Sequence, residues 1–235
     1  MVYSREIEGE EYTFGVSGKL IRNVLVMYDR QTGTLWSQLL GKAVEGELKG
    51  TELEFLPSWM TTWEDWKARH PDTQALRKGY FGDRDSYDSY YASNRTGVIG
   101  ETYSDDRLYI KEFVIGVEND GDTKAYPFGV LNDEPVVNDT LGETPVLVVF
   151  DADTGSGVAF SRIVDGETLT FDLSGNLGLV DQETGTSWDG LTGEALEGPL
   201  AGSQLERIKS THSFWFGWKD LHPTTGVYGL DELAP

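Results

Sequence analysis

Three histidines, His70, His212 and His222, are the only imidazoles in 235 residues, and cysteine is absent. Without a thiol this chain can form no cysteine nucleophile, zinc-thiolate site, iron–sulfur cluster or disulfide. His70 and His222 each precede a proline, where an imidazole suits the negative end of a helix dipole. A serine triad would need a strained nucleophile turn, and no Gly-x-Ser-x-Gly occurs. The nearest match, Gly15-Val16-Ser17-Gly18, reads as a strand-end turn. Asp151-Ala152-Asp153-Thr154-Gly155 resembles the opening of a calcium loop, yet Arg162 stands at the twelfth position, where a bidentate glutamate is required. Asp83, Asp85, Asp88, Asp105 and Asp106 could offer oxygen ligands to a hard cation, and a solvated acidic loop explains them more simply. No Walker or Gly-x-Gly-x-x-Gly phosphate loop is present. These residues assign no catalytic, metal-binding or cofactor-binding role.

Aromatic residues offer a different chemistry, the stacking of flat or apolar ligand faces. Trp63 with Trp66, and Trp215 with Trp218, stand three residues apart on one face of a short helix, a spacing that predicts packing onto a sheet. Trp59 belongs to neither pair. Together with Tyr87, Tyr90 and Tyr91 it forms the expected binding surface, for a glycan or protein partner. Hydrolysis by two carboxylates would need a pair about 5–10 Å apart in a cleft, and 40 acidic residues give no basis for choosing two.

The elements that position these residues recur. Thr32-Gly33-Thr34 and Trp36 return 152 residues later as Thr184-Gly185-Thr186 and Trp188. The same offset carries Trp63, Trp66-Lys67, His70-Pro71 and Thr73 onto Trp215, Trp218-Lys219, His222-Pro223 and Thr225. Upstream, Thr13-Phe14 and Ser17-Gly18 match Thr170-Phe171 and Ser174-Gly175 at an offset of 157, so the first copy holds five extra residues near Ile21–Leu25. Trp59 has no tryptophan counterpart. The expectation is a mostly β (α+β) protein of two tandem repeats, each closed by a short tryptophan-bearing helix. The ranges are 1–78 for an incomplete first repeat, 79–111 for a connector and 112–235 for a complete, degenerate second repeat.

Turn chemistry supports the strand reading. Asn119-Asp120-Gly121-Asp122 between apolar runs 113–117 and 124–128 predicts a hairpin, and Asp165-Gly166 a tight turn. Asp-x-x-Thr-Gly occurs at 29–33, 151–155 and 181–185, where aspartate accepts backbone N–H bonds and glycine supplies positive φ. Thr62 and Ser213 are the expected helix caps, and Pro71 and Pro223 the stops. The connector from Lys78 to Lys111 reads as an ordered loop packed by its tyrosines.

Several of these stretches resemble one family. They are Thr13-Phe14-Gly15-Val16-Ser17-Gly18, Leu25-Val26-Met27-Tyr28-Asp29-Arg30-Gln31-Thr32, Leu35-Trp36-Ser37-Gln38, Thr61-Thr62-Trp63 and Arg69-His70-Pro71-Asp72-Thr73. Lys111-Glu112, Gly116-Val117-Glu118 and Ala125-Tyr126-Pro127 continue the match. Together they are similar to the bacterial and archaeal domain of unknown function 3179 family. The resemblance implies a cell-envelope or extracytoplasmic setting for full-length members. It also implies an upstream Asn-Trp-His-Glu-x-Val-Asn-Asp and Tyr-Cys-Pro-x-Cys-Gly half suited to a soft metal or dithiol redox chemistry. In the second copy those positions hold Glu134 for the histidine, and Asp151 and Thr154 for the cysteines. The expectation is an N-terminally truncated, salt-adapted, haloarchaeal-type member with a non-catalytic binding or scaffold role, the redox function of the full domain being lost. A carbohydrate-binding module is the further alternative.

Acidic residues outnumber basic ones 40 to 19, a net charge of −21 spread along the chain. Such a surface repels phosphate backbones, so nucleic acid is excluded as a partner. No apolar run approaches the ~18 residues of a membrane span, and residues 1–6 lack the pattern of a secretory signal, so the chain as given reads as cytoplasmic. At ~1 M salt, screening over ~3 Å would relieve the self-repulsion of this charge. Thermal unfolding from low to molar salt is therefore expected to show a rising Tm. A Tm that stays level or falls contradicts salt adaptation.

Overall fold

Asp120 and Gly121 both adopt positive φ, 50° and 89°, giving a two-residue turn whose twist matches the strands it joins. That turn links strands Phe113–Asn119 and Asp122–Pro127 in the computed structural model, which describes residues 1–76 and 87–230. Ser210–Phe214 pairs antiparallel along the outer side of Phe113–Asn119. Gly226–Val227 adds in parallel beside Asp122–Pro127 and completes a four-stranded sheet. The chain is mostly β, in several sheets. The expected boundary between residues 78 and 79, together with Asp83 and Asp85, lies outside the described residues.

A three-stranded sheet, Val136–Leu141, Thr144–Asp151 and Ser156–Ser161, forms the centre. Its middle strand is an unbroken apolar run because both faces are covered. Leu147, Val149, Val158 and Phe160 point one way, into a cluster with Phe171, Leu179 and Trp188. Val146, Val148, Phe150 and Ala159 point the other way, against Ile115, Val117 and Tyr126 of the four-stranded sheet. The period-two alternation of the strand thus places it between two other sheets.

Two four-stranded meanders complete the β structure. The first is Phe14–Ile21, Val24–Asp29, Leu35–Ser37 and Lys42–Glu45. The second is Phe171–Ser174, Gly178–Asp181, Ser187–Asp189 and Ala195–Glu197. Each buries one tryptophan completely, Trp36 and Trp188, and a buried indole N–H needs an acceptor. Asp29 accepts from Trp36 Nε1 at 2.9 Å, and Asp181 accepts from Trp188 Nε1 at 2.9 Å. The same carboxylates take the backbone N–H of Thr32 and of Thr184, each at 2.6 Å, so the Asp-x-x-Thr-Gly turn is bonded into the core. At 151–155 the third turn repeats the threonine contact, Thr154 Oγ1 to Asp151 at 2.6 Å.

Four short helices are described: α1 (Trp63–Arg69), α2 (Asp88–Tyr91), α3 (Phe128–Leu131) and α4 (Trp215–Leu221). The apolar run ending at Phe128 breaks into α3 straight after Pro127. Thr62 caps α1 as expected, accepting from Asp65 N at 3.2 Å. Ser213 does not cap α4: the cap is Phe214, and the Ser213 hydroxyl donates to Phe214 O because Ser213 still belongs to a strand. Tryptophan packing also differs between the helices. Trp215 and Trp218 are buried beneath α4, whereas Trp63 on α1 is 51% exposed, correcting the expectation that both pairs pack on a sheet. α4 lies on strand Phe113–Asn119, where Gly116 leaves room for the Trp218 ring. α1 rests instead through Trp66 on Trp59.

The connector departs from expectation in part. Tyr90 and Tyr91 pack near Phe214, but Tyr87, Tyr91, Tyr103 and Tyr109 are exposed, and polar side chains, most of them from elsewhere in the chain, also fasten residues 87–111. Asn23 donates to Gly100 O and accepts from Val98 N and Ile99 N. Asp220 on α4, fully buried, accepts the N–H groups of Thr102 and Tyr103, while its neighbour Lys219 pairs with Glu101 at 2.5 Å. Lys111 donates to the carbonyls of Tyr90 and Ser93.

Two tests follow from this packing. A Cβ at Gly116 would overlap the Trp218 ring, so Gly116→Ala is expected to cost about 1–3 kcal/mol in denaturant unfolding. An unchanged midpoint would contradict the close approach. For Asp29 and Asp181, burial alone would raise the carboxyl pKa, but hydrogen bonds from the indole, threonine and backbone outweigh it and lower both. Their contribution to stability is complete above the ordinary carboxylate range, near pH 4, and is lost as pH falls through the lowered values. The double variant Asp29→Asn/Asp181→Asn should therefore be less stable at neutral pH and lose less stability below pH 4. An identical acid limb in both proteins would refute this.

Candidate functional site

Residues Trp66, His70 and Thr73 show why histidine stands before proline. Trp66 Nε1 donates to Thr73 Oγ1 at 2.9 Å, and the His70 ring stacks on Trp66 with centroids 4.1 Å apart. Trp218, His222 and Thr225 repeat the arrangement at 2.9 and 4.1 Å. The imidazoles are thus stacking partners of tryptophan. Burial lowers the His222 pKa against the opposing pull of Glu118, with Lys209 adding to the decrease. His222 is therefore neutral at neutral pH, and the expected charge–dipole role does not apply to it.

Other residues with possible chemistry are also spent on structure. Arg162, at the would-be calcium position, donates to Leu169 O and Asp139 O at 2.8 and 3.1 Å. Asp105 pairs with Arg107 at 2.7 Å, and Asp88 opens α2. Among the described residues no three His, Cys, Asp or Glu side chains group to hold a metal ion. Glu134 accepts from the Tyr228 hydroxyl at 2.9 Å, while Asp151 holds Thr154 Oγ1 and the Asp153 N–H. These positions do not fit a soft metal or a dithiol.

Two sizeable clefts stand out among the described residues. One, of about 640 Å³, is lined by Glu118, Asp120, Glu206, Arg207 and Lys209 among others. Its central charges neutralise each other: Lys209 Nζ lies 2.8 Å from Glu118, which also faces His222 Nε2 at 3.6 Å. The second cleft, of about 570 Å³, lies between two distant parts of the chain. Phe55, Pro57 and Trp59 come from the segment before α1; Thr192, Gln204, Leu205, Glu206 and Arg207 come from the second meander and the segment after it. Arg207 sits between two rings, its Cζ 5.3 Å from the Trp59 centroid and 4.9 Å from that of Phe160, and it donates to Leu191 O. Burial pushes Arg207 down to about 10, opposed by Asp189, so its guanidinium remains charged at neutral pH. Aromatic, cationic, amide, hydroxyl and carboxylate residues thus line one space, where Gln204 Nε2 donates to Thr192 O at 2.7 Å.

Trp59 therefore lies at a concave site. Tyr87, Tyr90 and Tyr91 keep different company: Tyr90 and Tyr91 pack near Phe214 at 6.4 and 6.1 Å, and Tyr87 lies 6.5 Å from Tyr91. Lys111 Nζ lies 3.7 Å from the Tyr90 ring. Sequence reasoning missed Arg207, Gln204 and His212. His212 alone carried a signal, as the one histidine without a proline after it. Its Nε2 lies 3.1 Å from Gly157 O and must donate to that carbonyl. Burial, opposed by this bond, pushes the ring down to about 4.

The family described as "Protein of unknown function (DUF3179)" matches residues 1–225. No curated protein and no solved structure matches the chain. No helix among the described residues is long and apolar enough to cross a membrane.

Between pH 6.5, the ordinary value, and about 4, an unfolded chain binds the proton that folded His212 refuses. Its contribution to stability is whole above 6.5 and is lost as pH falls toward 4; buried His222 acts in the same sense. Urea unfolding across this range should show a smaller loss for His212→Gln than for the parent. Parallel pH profiles would show that His212 titrates normally.

Proposed function

We infer that this chain, which belongs to the DUF3179 family, is a β-rich binding module whose ligand seat is the cleft between residues 55–59 and 192–207. One observation carries the reading: Arg207 held between the Trp59 and Phe160 rings on the wall of that cleft. Pockets combining apolar walls with a few placed polar groups, set between distant chain segments, are the usual form of small-ligand sites. Trp59, Arg207, Gln204, Glu206 and Thr192 together suit a saccharide, which offers apolar C–H faces to rings and hydroxyls to amides and charges.

The two meanders are read as copies of one duplicated unit. Support comes from the 152-residue offset and from matching bonds at Asp29–Trp36 and Asp181–Trp188, and at Trp66–Thr73 and Trp218–Thr225. The ligand cleft is then the place where the copies differ, since Trp59 has no tryptophan counterpart. The resemblance supports an envelope setting.

A glycan array run at low and molar salt, followed by titration of tryptophan fluorescence, tests the function. Saturable binding is expected, weakened at least tenfold by Trp59→Ala and by Arg207→Met and unchanged by Tyr91→Ala. No hit under either salt condition refutes saccharide binding. Loss on Tyr91→Ala alone would move the site to the tyrosines.

A further inference from the structure

An arginine carries five N–H donors in a planar fork, and Arg207 commits one nitrogen of that fork within the chain. Its Nη2 donates to Leu191 O, while Nε and Nη1 have no acceptor among the described residues. The nearby rings of Trp59 and Phe160 attract its charge but offer no lone pair. Nor is that charge paired. Among the described residues no carboxylate forms an ion pair with Arg207, its neighbour Glu206 included. Asp189 is the acid whose charge acts on it, and that carboxylate is already engaged. It lies 3.8 Å from Arg69 Nη1 and accepts from the N–H groups of Leu191 and Thr192 at 2.9 and 2.7 Å.

Other enclosed cations of this acidic chain are better served. Lys124, Lys209 and Lys219 each meet a carboxylate, and Lys111 and Arg162 each meet two carbonyl oxygens. A half-buried cation left with one carbonyl is costly, and burial already pushes Arg207 down to about 10. Its spare donors are not sealed in. Arg162 Nε is both enclosed and without a partner, whereas no nitrogen of Arg207 is, so Nε and Nη1 of Arg207 keep accessible surface. The fork has two edges able to hold a carboxylate bidentately, and both use Nη2. Leu191 O takes one Nη2 hydrogen, so one edge stays whole.

Arg207 lines both large clefts, and they differ in charge. The cleft of Lys209 also holds Glu52, Glu118 and Asp120, which repel an anion. In the Trp59 cleft Glu206 is the one acid among the lining residues, and Phe55, Pro57, Trp59 and Leu205 supply apolar wall. We propose that the Trp59 cleft selects an acidic saccharide, whose carboxylate takes the open edge of Arg207 while its ring lies against Trp59. Gln204 gives its Nε2 to Thr192 O and keeps its amide oxygen for a hydroxyl of the same sugar. The net charge of −21 repels a phosphate dianion more than a carboxylate monoanion, which favours the carboxylate. This rests on the reading of the cleft as a saccharide seat and adds to it the charge of the sugar.

The test is a titration of the full chain at neutral pH and fixed salt, with four probes. They are methyl glucuronide, its neutral methyl ester, methyl glucoside and glucose 6-phosphate. Binding is followed by tryptophan fluorescence and by the arginine side-chain nitrogen-15 signals, that of Arg207 being identified from its loss in Arg207→Lys. The glucuronide is expected to saturate at a concentration at least tenfold lower than its ester or the glucoside, and to shift the Arg207 signal. Arg207→Gln should erase that preference. Because the ester comparison uses the unaltered protein, the result stands even if the variant misfolds. Equal affinities for the acid, the ester and the glucoside would overturn the selection and leave the cleft as a seat for neutral sugars. Tighter binding of glucose 6-phosphate than of the glucuronide would overturn the choice of carboxylate. Glucuronide binding that leaves the Arg207 signal unmoved would place the acid elsewhere and overturn the proposal. No saturable response to any of the four would overturn it together with the saccharide seat.

Discussion

A tryptophan in the interior of a small sheet must find an acceptor for its N–H, and in both meanders that acceptor is an aspartate that also begins a turn. One carboxylate then joins three things that could otherwise vary separately: the turn, the strand register and the core ring. Hydrogen bonds to a charged acceptor contribute about 1.5–3 kcal/mol each, so the arrangement is substantial on the scale of a domain's net stability. The central three-stranded sheet draws on it directly, because Trp188 lies in the same cluster as Leu147, Val149 and Phe160. Whatever fixes Trp188 also fixes the outer face of the central sheet, and beyond that sheet lie the strand of His212 and helix α4.

The acidic composition gives little hint that charges are also used inside. Lys219 and Asp220 are buried side by side on α4, one serving Glu101 and the other the backbone of residues 102 and 103. Lys111 and Arg207 are likewise enclosed, the one by carbonyls and the other by two rings. Cations are scarce in this chain, and several of them hold one segment against another. The excess negative charge is correspondingly left for the exterior.

Much of the fold was legible in the sequence. The hairpin turns, the Thr62 cap and the three Asp-x-x-Thr-Gly turns rest on local chemistry, and the structure places them within a residue or two. Errors arose where tertiary contact decides. Trp63 and Trp215 have the same local sequence logic, but only α4 lies on a sheet, so only its tryptophans are covered. The connector was expected to be packed by its tyrosines because nothing in the sequence says that Asn23, some 75 residues away, bonds to it. The cleft was half visible: Trp59 stood out by lacking a counterpart, whereas Arg207 and Gln204 looked like any polar residues until the chain brought them opposite it.

The five additional residues of the first hairpin acquire a meaning from where their tip lies. Arg22 and Asn23, at the turn, reach the Asp220 carbonyl and the backbone at 98–100. The second hairpin, shorter and turning at residues 175–177, carries no such pair. A chain containing two look-alike hairpins runs the hazard of docking one in the other's berth while it folds. Only the longer one can close these bonds, so an exchanged arrangement leaves the connector unlatched and Asn23 without its backbone partners. The longer tip thus marks one of two similar hairpins by contacts that the other does not make.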